Sequence, residues 1–102
     1  MNDGQRLALA ALDALLYSTS VLVGHLSESN LDGSQEANAV MLLQLYTFFG
    51  PDSVPAQQLL PAMSAIEADI VSGEVSSALD RARAFEGSIQ EILRLLKAGQ
   101  EP

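Results

Sequence analysis

The chain has 102 residues, enough for one compact core of ordinary domain size and too few for two. Hydrophobic residues make up 48% and charged residues 18%, which excludes a disordered chain. Cysteine is absent, removing disulfides, zinc fingers and thiol chemistry, while thirteen acids against five bases give a net charge of −8 that opposes general binding to nucleic acid or anionic lipid.

The apolar stretch 7–26 raises the question of a signal peptide or membrane span. Asp13 interrupts it, Ser18, Thr19, Ser20 and His25 follow, and Arg6 is its only basic flank, so it reads as the buried helix of a cytoplasmic protein. Leu9, Leu12, Leu16, Thr19, Val23 and Leu26 recur at steps of three and four, widened by Leu15 and Leu22, predicting a first helix over 4–26 capped by Asn2 or Asp3. Residues 27–34, with six polar side chains and Gly33, read as a mobile loop.

A second helix is predicted over 35–49, with Ser34 as its N-cap, Glu36 in its first turn and Gly50-Pro51 as its stop. Its apolar residues run nearly all the way round: Val40, Met41, Leu42, Leu43, Leu45, Tyr46, Phe48 and Phe49, interrupted by Gln44 and Thr47. Such a helix needs cover on more than one side, so it is either central or part of an interface.

Ser53 caps a third predicted helix ending at Ser72-Gly73, with Pro55 in its first turn and a stripe of Ala56, Leu59, Met63, Ile66 and Ile70. Pro61 removes one hydrogen bond inside it, predicting a kink or a break there; the unbroken stripe favours the kink. The fourth helix is predicted over 74–98, closed by Gly99, with Val75, Leu79, Ala82, Phe85, Ile89, Ile92, Leu93 and Leu96 inward. Asp80 with Arg83 and Glu91 with Arg94 are spaced to pair on its outer face. The pattern is all-α: a four-helix bundle-like single domain over 1–102, expected to be dimeric. Residues 73–82 faintly resemble half of a tetratricopeptide repeat, but no second copy follows.

Chemistry is sparse. His25 is the only histidine, with Glu28 three residues on, and no Glu-x-x-His motif exists for a di-iron centre. Residues 28–39 test poorly as a calcium loop, because Ala39 stands where a bidentate Glu is required. No nucleophile elbow or phosphate-binding glycine loop appears, and the five cations are too few and too dispersed for a polyanionic substrate. No catalytic residue, metal site or cofactor is therefore expected. Asp13 and Glu86, beside apolar stripes, are candidates for polar contacts that set helix register, and Gly24 and Gly87 for close helix approach.

These observations predict a non-enzymatic interaction protein: a small acidic helical adaptor, chaperone or regulator that binds an apolar segment of a partner, or itself, with no nucleic acid and no membrane. Its profile resembles that of small acidic helical chaperones and adaptors of bacterial secretion systems, with no motif behind the likeness. The interface candidates are Val40, Met41, Leu42, Leu45, Tyr46, Phe48, Phe49 and Met63. Two alternatives follow from the same composition: an acidic inhibitor or nucleic-acid mimic occupying a basic site, and a bundle that holds a small apolar ligand.

Overall fold

The structure is a computed structural model that describes residues 3–98, apart from the side chain of Pro55. Four helices make up the described residues: α1 (Asp3–Ser27), α2 (Leu31–Phe49), α3 (Val54–Val71) and α4 (Val75–Ala98). Connections of three or four residues force consecutive helices to run antiparallel. α1 packs on α2 and α4, and α3 packs on α2 and α4, so the bundle is square with α1 closing the ring against α4. Its extents are 46 × 25 × 17 Å. The predicted caps Asn2 and Gly99 lie outside the described residues.

Each helix turns its stripe to one shared core. Leu12, Leu15, Leu22 and Leu26 of α1, Met41 and Leu45 of α2, Met63 and Ile66 of α3, and Ala82, Phe85 and Ile89 of α4 are all buried in it. The predicted α3 stripe is buried at every position. In α1 the burial centres on Leu15 and Leu22, leaving Leu16 and Val23 half-buried at its edge. Thr19 enters the core because its hydroxyl donates to the Leu15 carbonyl at 2.8 Å, which leaves a methyl to pack.

α3 continues as one helix through Pro61. Pro61 and Gln57 are both exposed, so the Gln57 carbonyl that loses its partner faces solvent, and water can satisfy it. Ser53 caps α3 as expected, accepting from the Ala56 amide at 3.2 Å.

The segment 27–34 departs from expectation. α1 ends in a Schellman motif: the Ser29 amide donates to the Leu26 carbonyl at 3.0 Å and the Asn30 amide to the His25 carbonyl at 2.9 Å. Ser29 takes the left-handed conformation there, with φ 57°. Asn30 is at once the second residue of that motif and the N-cap of α2, accepting from the Gly33 amide at 3.0 Å. Helix therefore resumes at Leu31, four residues before the predicted start. Ser34, predicted as the cap, is buried in the first turn, and its hydroxyl donates to the Asn30 carbonyl at 2.6 Å.

Polar contacts tie the seams. Ser18 donates to Gln44 across α1 and α2 at 2.8 Å. Ser20 donates to Glu86 across α1 and α4 at 2.9 Å at the exposed edge of that seam, and Asp13 is exposed too. Asp69 pairs with Arg81 at 2.8 Å and accepts from Ser77 at 2.9 Å, fastening the α3–α4 corner. On the outer face of α4, Arg94 grips Glu91 with two donors, at 2.6 and 3.0 Å. That hydrogen bond holds the Glu91 carboxyl below its usual range and Arg94 above its own. No ion pair joins Asp80 to Arg83 among the described residues; both side chains are exposed, where pairing gains little over hydration.

Candidate interaction surface

α1 carries two apolar stripes. Opposite its core side, Leu7, Ala10, Ala14, Tyr17 and Val21 recur at alternating steps of three and four, the spacing of a coiled-coil seam. Leu7 is 72% exposed and Tyr17 73%, and Val21 is also exposed. Beside them α2 presents Val40, Leu43 at 66% exposure and Phe48 at 51%. Six of the large exposed apolar side chains thus belong to α1 and α2, while Val54 and Val71 stand singly at the ends of α3 and Leu95 and Leu96 lie near the end of α4.

Two depressions lie along α1 and α2. Near the α1–α2 turn, Tyr17, Ser18, Val21, His25, Gly33, Glu36, Ala37 and Val40 line a groove of about 310 Å³. Toward the other end, Gly4, Leu7, Ala8, Ala10, Ala11, Thr47, Phe48 and Phe49 line one of about 450 Å³. Small residues line both, Gly33 and Ala37 of α2 in the first and Gly4, Ala8, Ala10 and Ala11 of α1 in the second, leaving the backbone open where a larger side chain would fill the seam. A third hollow, of about 330 Å³, opens at the end of the bundle between Ala8, Leu12, Phe49, Gln58, Leu59, Ile92 and Leu96, with Gln58 as its polar side chain.

His25 sits in the last turn of α1, half-buried, and its Nδ1 accepts from the Asn30 side-chain amide at 3.2 Å. Gly33 faces that pair so closely that a Cβ there would lie 2.6 Å from Asn30 Nδ2 and 2.7 Å from His25 Nδ1. The glycine read as a loop residue is a helix residue selected for close approach. Among the described residues no three His, Asp or Glu side chains gather where they could share a metal ion. Gly24 and Gly87, expected at helix contacts, have open space where a Cβ would stand.

The sequence-derived interface candidates divide. Met41, Leu45 and Met63 are buried in the core of the single chain and cannot meet a partner without unfolding it. Leu42, Tyr46 and Phe49 are half-buried; Leu42 and Phe49 pack against that core. Val40 and Phe48 remain exposed. Leu7, Tyr17, Val21 and Leu43 were missed as surface residues, although the second three-four stripe of α1 was present in the sequence.

By length and composition α1 could cross a membrane, and in the structure a third of its most apolar window is buried against the other helices. No protein-family model, curated protein or solved structure matches the chain.

Proposed function

We propose that the protein is a non-enzymatic interaction module, an antiparallel four-helix bundle that offers its α1/α2 side to an apolar helical segment. The observation that carries this reading is the set of exposed apolar side chains Leu7, Tyr17, Val21, Val40, Leu43 and Phe48 carried by the neighbouring helices α1 and α2. Large exposed apolar side chains gathered on one pair of helices are the kind of surface that monomers keep for a purpose. Single exposed residues such as Val54 and Val71 need no such account.

α2 supports the same reading from the inside. α1 and α3 cover two of its flanks, and Leu43 stands exposed on a third. A helix apolar nearly all round and covered on only part of its circumference is a helix waiting for another surface.

The test is the mass of the native species, read on the tagged protein purified gently from its own cell. A stoichiometric protein, or a second copy, should remain with the wild-type chain and be lost from a Tyr17→Gln, Leu43→Gln, Phe48→Gln variant that keeps its helical circular dichroism. A bare monomer for both chains, across micromolar concentrations, sinks the proposal.

A further inference from the structure

The strip specifies the shape of its occupant. Leu7, Tyr17 and Val21, spaced as a seam with Ala10 and Ala14 between them, continue past Val21 into the groove that ends at His25 and Gly33. From Leu7 to His25 the seam runs about 27 Å at 1.5 Å per residue, the length of a helix of about 18 residues. Two antiparallel helices with small residues along one seam form a trough for a third helix, which would lay its own apolar stripe between them.

Charge selects the kind of helix. α1 and α2 carry Asp3, Asp13, Asp32 and Glu36, and the turn between them Glu28, against one base, Arg6. Glu36 lines the groove itself and Asp32 stands exposed one turn before it, while no Lys or Arg lines either depression. A second copy would set one chain of net charge −8 against another. We propose that the occupant is a single amphipathic helix of a different protein, with Lys or Arg flanking its apolar stripe. The proposal rests on the interaction reading above and adds the sign of the partner.

The experiment uses the full chain and three synthetic helical peptides of about 18 residues. They share one apolar stripe and one Trp, and differ only in polar faces of Lys/Arg, Gln/Ser or Glu. Because the protein has no Trp, the peptide's fluorescence reports binding alone. The basic peptide should bind at least tenfold more tightly than the uncharged one and lose affinity as salt rises. Most of that advantage should vanish in the Asp32→Asn, Glu36→Gln variant and persist in Glu67→Gln, Asp80→Asn, which removes the same charge from exposed positions on α3 and α4. The Tyr17→Gln, Leu43→Gln, Phe48→Gln variant should bind none of the three.

Equal affinity for the basic and uncharged peptides overturns the choice of partner and leaves the interaction reading standing. Equal losses in the two charge variants overturn it as well, since attraction would then belong to the whole molecule and not to the groove. If no peptide binds and the chain sediments as a dimer that the apolar-strip variant dissociates, the occupant is a second copy and this inference fails alone. If no peptide binds and the chain is monomeric, both readings fail.

Discussion

Three of the glycines inside helices, Gly24, Gly33 and Gly87, have surroundings that give them opposite consequences. Gly24 and Gly87 are exposed with open space at the Cβ position, so they contribute only the backbone freedom that folding must remove. Gly24→Ala and Gly87→Ala should each stabilise the fold by about 0.5–1 kcal/mol. Gly33→Ala should do the reverse. Its methyl would enter the space of the His25 ring and of the Asn30 amide, and the Asn30 side chain caps α2, so displacing it forfeits a cap of about 1 kcal/mol. Urea denaturation of the three variants checks the ordering, and a Gly33→Ala protein as stable as wild type would show that the His25–Asn30–Gly33 corner yields without cost. Composition alone does not separate these glycines: the sequence reading gave Gly33 a loop role and Gly24 a contact role, and the structure exchanges them.

At the level of the helices, what sequence pattern revealed was which stripe is strongest, and what it hid was which side of a helix stays uncovered. The stripe of α3 translates position by position into burial; of the α4 stripe only Ala82, Phe85, Ile89 and Leu93 are buried, Val75, Leu79 and Ile92 lie half-buried at the edge, and Leu96, predicted inward, is exposed because it falls in the last turn at the end of the bundle. The turn after α1 was misread because its left-handed residue is Ser29 and not a glycine, and because Asn30 closes one helix while opening the next within a single residue. α2 shows the limit most clearly. Its all-round apolar pattern announced an interface without saying where, and Met41, Leu45 and Met63 were grouped with residues that the fold places on the opposite side. Two neighbours on α2 make the division measurable. Met41→Ala should cost about 2–5 kcal/mol, the range for emptying a fully buried site of that size, whereas Leu43→Gln should stay within about 0.5 kcal/mol of wild type. A large loss for Leu43→Gln would mean that the side of α2 taken here as open is covered in the native species.

For the molecule as a whole, the apolar strip and the acidic surplus oppose each other. The strip favours association of identical chains, while a net charge of −8 on 102 residues repels them, so the purified protein should stay dispersed near neutral pH in the absence of its partner. Acidification protonates carboxylates, lowers the repulsion and leaves the strip unchanged. Light scattering should therefore show association rising as the pH falls from 7 toward 4.5, at values where the helical circular dichroism is intact. Added salt at pH 7 should promote the same association by screening. The control decides the cause: the Tyr17→Gln, Leu43→Gln, Phe48→Gln chain carries the same charge and titrates alike, so it should remain dispersed under both conditions. If it associates as readily as wild type, the assembly arises from charge loss over the whole surface. The apolar side of α1 and α2 then has no special part in holding molecules together.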